Sequence, residues 1–101
     1  MCKVLVFAGT TEGRKIAEFL DSQSVPSHIC VATEYGEELL PKSGHMTVSH
    51  TRLTEEDMEA LMREIQADPV IDATHPYAAE VTKNIRSACE KAGCRYVRLL
   101  R

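Results

Sequence analysis

Two short segments of the chain carry residue types that can do chemistry. The first is Ala8-Gly9-Thr10-Thr11-Glu12-Gly13-Arg14, between an apolar run and an amphipathic one. Glycines at the start of a helix let an anion approach its free backbone N–H groups, which is the chemistry of pyrophosphate binding. The spacing here is Gly9-x-x-x-Gly13, not Gly-x-Gly-x-x-Gly. Taken alone it also fits a tight strand-to-helix turn, with Gly9 at positive φ and Thr10 or Thr11 capping the helix. The second segment is Asp72-Ala73-Thr74-His75-Pro76-Tyr77-Ala78-Ala79-Glu80. Pro76 suits the first position of a helix, which makes His75 its N-cap in an extended conformation. An imidazole there can orient a nicotinamide amide, bind a substrate carboxylate or move a proton, while Tyr77 can stack or donate a hydrogen bond. The plainer reading makes His75 a surface cap and Tyr77 a half-buried packing ring. Asp72, at a strand end, can cap or line the site.

A third segment, Ala32-Thr33-Glu34-Tyr35-Gly36, falls about 20 residues past Gly13, where a dinucleotide-binding unit reads the ribose. Glu34 suits a free ribose hydroxyl and repels a 2′-phosphate, Thr33 can hydrogen-bond either, and Arg52 or Lys42 can approach from elsewhere. NADH and NADPH both remain open, and an ordinary solvated loop is an equal alternative.

The elements that must position these loops are legible from periodicity. Val4 to Ala8 is a continuous apolar run stopped by Gly9, as in a strand buried on both faces. Ile16, Ala17, Phe19 and Leu20 mark one face of a helix from Glu12 to about Asp21. His28 to Ala32 reads as a second strand, Gly36 to Leu40 as a short helical turn and Met46 to Ser49 as a third strand. Thr54 and Asp57 have the form of a capping box, ahead of the stripe Met58, Leu61, Met62 and Ile65. Asp68-Pro69 is expected to end that helix. Val70 to Ala73 is then the fourth strand, Tyr77 to Ala92 a helix with Gly93 as its C-terminal cap, and Tyr96 to Leu99 the fifth strand. Alternating strands and helices predict an α/β fold: a Rossmann-like, doubly wound parallel sheet of about five strands in three layers. With strand order 3-2-1-4-5, the loops after Ala8 and Asp72 open into one crevice.

Composition narrows the classes. The 101 residues hold 12 Lys and Arg against 15 Asp and Glu, a net charge of -3, which offers no footprint for nucleic acid or an anionic membrane. Apolar runs fall far short of the roughly 20 residues of a membrane helix, and the N-terminus lacks an export signal. The expected location is the cytoplasm. Cys2, Cys30, Cys89 and Cys94 match no zinc or redox spacing and read as free thiols; His28, His45, His50 and His75 form no ligand cluster in sequence, so no metal is expected.

The block Asp72 to Arg86, with Gly9 to Arg14, Ala32 to Gly36 and the terminal Arg98-Leu99-Leu100-Arg101, resembles the precorrin-6A and cobalt-precorrin-6A reductases. The motifs fall in the family's order across the whole chain, with Ala8 where the family usually has glycine. The resemblance implies an oxidoreductase that uses NADPH, or NADH, to reduce a double bond of a tetrapyrrole-derived macrocycle in cobalamin biosynthesis. It implies a cofactor loop of Gly9, Thr10, Thr11, Glu12 and Gly13, with Thr33 and Tyr35 near the adenosine end. Thr74 and Pro76 would lie near the nicotinamide, with His75 and Tyr77 as catalytic residues. It also implies that residues 1–101 are an N-terminal nucleotide-binding domain, that the family's C-terminal domain lies outside this chain, and that this domain alone binds nucleotide weakly and turns over little or no substrate. Strand five, exposed without a partner domain, favours self-association. One competing reading is a non-catalytic nucleotide-binding or interaction module. Another is an NAD(P)-dependent reductase with a Tyr-x-x-x-Lys pair, but Val81 stands four residues after Tyr77 and Lys83 lies on a different face.

Overall fold

A computed structural model describes residues 3–31, 40, 44–50 and 52–99, and these described residues form five strands and three helices. They are β1 (Lys3–Ala8), α1 (Thr11–Ser22), β2 (Ser27–Cys30), β3 (Met46–Ser49), α2 (Glu55–Glu64), β4 (Ala67–Ala73), α3 (Ala79–Ala92) and β5 (Tyr96–Arg98). All neighbouring strands pair in parallel, in the order β3-β2-β1-β4-β5. The predicted doubly wound sheet is therefore present, with its winding reversing between β1 and β4.

Side chains alternate across β1 and so divide the core in two. Leu5 and Phe7 pack with Met58 and Met62 of α2 and Ile85, Ala88 and Cys89 of α3. Val6 and Ala8 pack with Ala17 and Leu20 of α1. Three layers follow: α1 on one face, α2 and α3 on the other. The sheet between them holds the C-terminal ends of β1 and β4 side by side, with Ala8 opposite Ala73.

The start of α2 matches its sequence signature. The Thr54 hydroxyl accepts from the Asp57 N–H at 3.1 Å, and the Asp57 carboxylate accepts from the Thr54 N–H at the same distance. A Thr54→Ala variant loses half of this reciprocal cap, at a cost of about 1 kcal/mol. The melting temperature is expected to fall by about 4–8 °C in a calorimetric scan. Gly93 closes α3 at φ 75, ψ 30, a left-handed conformation open to glycine.

Three expectations are corrected. Asp68-Pro69 does not end α2. The helix stops at Ile65 and Gln66, the latter at φ 54, and Pro69 lies inside β4. A register shift between Lys3 and Leu5 of β1 accommodates the proline, which has no N–H for the ladder. Second, α3 begins at Ala79, not at Tyr77, so Pro76 is not its first residue and His75 is not its cap. The N-cap position is Ala78, and Pro76 instead occupies the second position of a turn closed by the Ala78 N–H to the His75 carbonyl at 2.9 Å. Third, Gly9 has no positive φ; among the described glycines only Gly93 does. The helical turn expected over Gly36 to Leu40 lies outside the described residues except for Leu40, which is buried against the α1 side.

Candidate active site

The end of β1 and the start of α1 are joined by a very close contact. A Cβ added at Gly13 would stand 2.7 Å from the Ala8 Cβ and 2.9 Å from its Cα. Glycine at 13 thus lets the first turn of α1 sit directly on the sheet, and Ala8 fills the space that remains. Thr10 is the N-cap: its hydroxyl accepts from the Gly13 N–H at 3.3 Å and donates to the Ala73 carbonyl at 2.8 Å. One side chain therefore caps α1 and ties the first loop to the end of β4. Gly9 is exposed between them, and among the described residues a Cβ there would meet only the Thr74 Cα at 3.7 Å and the His75 nitrogen at 4.0 Å. The two loops converge as their sequence positions require.

The second loop is held from beneath by Asp72, whose side chain is fully buried. Its Oδ1 accepts from the Thr74 N–H at 3.1 Å and the Thr74 hydroxyl at 2.6 Å, while Oδ2 accepts from the Tyr96 hydroxyl at 2.7 Å. Burial pushes the carboxyl upward, yet the hydrogen bonds from Thr74 and Tyr96 outweigh it and hold the group below the usual carboxylate range. Burial and the neighbouring carboxylate raise the Tyr96 phenol, which keeps its proton and donates it. Arg98 completes the cage. Its Nη1 lies 3.0 Å from the Asp72 carbonyl, 2.9 Å from the Thr74 carbonyl and 3.1 Å from Asp72 Oδ1.

Above this cage His75 and Tyr77 face solvent. The Tyr77 N–H donates to His75 Nδ1 at 3.1 Å, and the rings lie 5.0 Å apart, tilted by 55°. With Nδ1 accepting, the neutral imidazole carries its proton on Nε2 and presents that N–H to a ligand. Tyr77 is 91% exposed, so it is no packing ring.

Between the sheet's C-terminal edge and the α2 and α3 layer lies a crevice of about 370 Å³. Of the sequence-predicted residues it gathers Gly9, Thr74 and His75, and Arg52 stands on its wall. Phe7, Cys30, Leu53, Met58 and Val81 supply an apolar lining. Burial pushes the Cys30 thiol up to about 11, so it serves as neutral apolar wall. The other predicted residues stand elsewhere. Thr10 turns toward Ala73, Thr11 is exposed and Glu12 half-buried in the first turn of α1, Gly13 is buried beneath them, and Pro76 is exposed on the turn. Thr33, Glu34, Tyr35 and Lys42 lie outside the described residues.

Sequence reasoning passed over Tyr96 and Arg98 as site-building residues. The signal was there, since polar residues at alternate positions of a strand share one face, and Asp72 pairs with Arg98 in register. Cys30, Cys89 and Cys94 are free thiols. Among the described residues no three His, Cys, Asp or Glu side chains gather to hold a metal, and no helix is long and apolar enough to cross a membrane.

Comparison with known proteins fits this geometry. Residues 3–101 match the family described as Precorrin-6x reductase CbiJ/CobK. The chain is 37% identical over 99 residues to a cobalt-precorrin-6A reductase of Methanothermobacter thermautotrophicus, covering 97% of this chain and 33% of that protein. It is 39% identical over 92 residues to the cobalt-precorrin-6A reductase of Salmonella typhimurium, covering 89% and 34%. The chain thus spans about a third of the length of these curated relatives. A solved structure of CobK precorrin-6A reductase superposes with a TM-score of 0.82 at 26% identity, over 100% of this chain and 39% of that one. The oxidoreductase ylbE of Lactococcus lactis superposes with a TM-score of 0.68 at 16% identity, a likeness of fold alone. With residues 3–101 matched by the family model and the whole chain superposing on a solved member, the chain belongs to the precorrin-6x reductase family, CbiJ/CobK.

Proposed function

We propose that this chain is the N-terminal, NAD(P)H-binding domain of a precorrin-6A or cobalt-precorrin-6A reductase, with the remainder of the active cleft on a C-terminal domain outside residues 1–101. The observation that carries the reading is the meeting of the first and second loops at the β1/β4 switch point, where open α/β sheets bind ligands. The residues present fit a dinucleotide. Gly9 places no side chain between a pyrophosphate and the backbone, the N-terminus of α1 favours negative charge, and a crevice of about 370 Å³ opens beside them.

A bound nicotinamide nucleotide supplies the hydride that reduces a carbon–carbon double bond of the macrocycle. The protein's part is to bind, orient and exclude water. Gly9, Thr10, Thr11, Glu12 and Gly13 form the phosphate loop, in which Thr10 and Gly13 act by shaping the turn. Thr33 and Tyr35 serve the adenosine end, and Arg52 adds a cation on the crevice wall. Thr74 and Pro76 frame the nicotinamide, and Phe7, Met58 and Val81 keep the crevice wall apolar. His75 Nε2–H and the Tyr77 hydroxyl are the donors this chain offers to the nicotinamide amide, to a substrate carboxylate or to the carbon that takes the proton.

Calorimetric titration of the 101-residue chain with NADPH, and separately with NADH, tests this reading. Saturable binding of at least one is expected. A Gly9→Asp variant is expected to weaken it by about tenfold or more, because the added carboxylate faces the phosphates. The fold has room for the substitution at ordinary van der Waals distances and without a positive φ, so the variant's melting curve should stay close to that of the parent. Absence of binding to both nucleotides would overturn the proposal.

A further inference from the structure

We infer that Arg98, on β5, is a positioning residue for the His75 turn; the assignment rests on the reading of the crevice as the reductase site. Four acceptors lie within 3.4 Å of its Nη1: the Asp72 carbonyl, the Thr74 carbonyl, Asp72 Oδ1 and the Thr74 hydroxyl. A guanidinium Nη1 carries two hydrogens, so it cannot serve all four with full hydrogen bonds. The two shortest distances are to backbone carbonyls, 2.9 Å to Thr74 and 3.0 Å to Asp72. The Thr74 carbonyl belongs to the peptide that joins Thr74 to His75. Arg98 therefore fixes the plane from which the imidazole departs, and the ion pair with Asp72 Oδ1, at 3.1 Å, anchors the guanidinium itself.

The loop gains order from these bonds that it lacks elsewhere. α3 begins without a side-chain cap at Ala78, so its first turn does not hold the preceding residues. Residues 75 to 77 are exposed, and the bonds within the turn run from the Tyr77 N–H to His75 Nδ1 and from the Ala78 N–H to the His75 carbonyl. External restraint enters through Thr74. Its hydroxyl and N–H are tied to Asp72, its hydroxyl also lies 3.3 Å from that of Thr82, and its carbonyl is tied to Arg98. Of these partners Arg98 alone acts on the carbonyl side, next to His75.

Lysine and arginine separate a positioning role from a purely electrostatic one. Lysine keeps the charge beside Asp72 but replaces a planar, fixed array of donors with a mobile ammonium. An Arg98→Lys chain is therefore expected to melt close to the parent. It should lose amide hydrogen-exchange protection selectively at Tyr77 and Ala78 and bind nucleotide about tenfold more weakly. A Tyr96→Phe chain, which removes a partner of Asp72 without touching the Thr74 carbonyl, should leave protection at Tyr77 and Ala78 unchanged. If Arg98→Lys keeps both protection and affinity, charge alone suffices and the assignment falls. If Arg98→Lys melts far below the parent, or Tyr96→Phe loosens the turn equally, Arg98 is structural and the assignment falls as well. A parent chain that binds neither nucleotide would remove the function reading, while the exchange pattern at Tyr77 and Ala78 would still decide whether Arg98 orders the turn.

Discussion

A Gly13→Val chain is expected to be largely unfolded or to melt far below the parent, and to bind no nucleotide. A Cβ at position 13 would stand 2.9 Å from the Ala8 Cα, 2.7 Å from its Cβ and 3.3 Å from the Ala73 Cβ. The first of these is backbone in a buried central strand, so no rotamer change relieves the overlap. Either α1 lifts from the sheet or β1 bends. Overpacking of a close contact costs typically 1–3 kcal/mol, and valine adds two methyl groups beyond the first clash. For a domain of this size each kcal/mol moves the melting temperature by about 4–8 °C, and the marginal stability general to native domains leaves little reserve. Gly13→Ala is the milder test: its melting temperature should fall by about 4–24 °C. A melting temperature within a degree or two of the parent would show that α1 can lift freely, contrary to the packing described.

Removing the Asp72 charge is expected to have a comparable effect with a distinct pH signature. Asp72→Asn preserves shape but leaves Arg98, which is one-fifth exposed, without its anion. It also places an amide N–H₂ where Thr74 or Tyr96 donates. Breaking a buried ion pair from one side costs about 3–5 kcal/mol, and the partial exposure of Arg98 argues for the lower end. The melting temperature at pH 7 should therefore fall by about 12–24 °C. The sign with pH follows from the lowered pKa of Asp72. A group whose folded pKa is depressed stabilises the fold fully above its unfolded value, about 3.9, and loses that contribution as pH falls through the folded value. Parent and Asp72→Asn should thus differ most at neutral pH and converge as the solution is acidified below about pH 4. Parallel unfolding curves from pH 7 to pH 2 would refute this role for Asp72.

Much of this arrangement can be read from residue order because its causes are local. The apolar run of β1, the Thr54–Asp57 box and the glycine after α3 each announce an element through their own chemistry. Strand order follows from right-handed crossovers, and from it the meeting of the first two loops. Proline misled at Asp68-Pro69 and at Pro76. Pro69 has the same local preferences in an interrupted strand as after a helix, and only the shifted pairing with β1 tells which. Pro76 fits the first position of a helix and the second of a turn equally well. The choice of turn goes with the bonds of Thr74 to Asp72 and Arg98, the latter 24 residues away. The cage around Asp72 escaped notice for the same reason: Tyr96 and Arg98 reach it from another strand. The segment from Ala32 to Gly36, which carries the reading of the ribose end, lies outside the described residues.

The contact between Ala8 and Gly13 also sets the order in which this sequence can drift. One methyl group fits between the two positions, and it resides on residue 8. Deleting it, as in Ala8→Gly, would open the 2.7 Å clash with a new methyl at 13 but leave the 2.9 Å approach to the backbone of residue 8 untouched. The methyl therefore cannot simply change sides. Glycine at position 8 keeps the backbone approach intact and costs only about 0.5–1 kcal/mol for a lost core methyl and a looser strand, while every path through a side chain at position 13 first requires the helix to move. Tolerance at the pair is therefore one-sided, and its limit is the spacing between helix and strand.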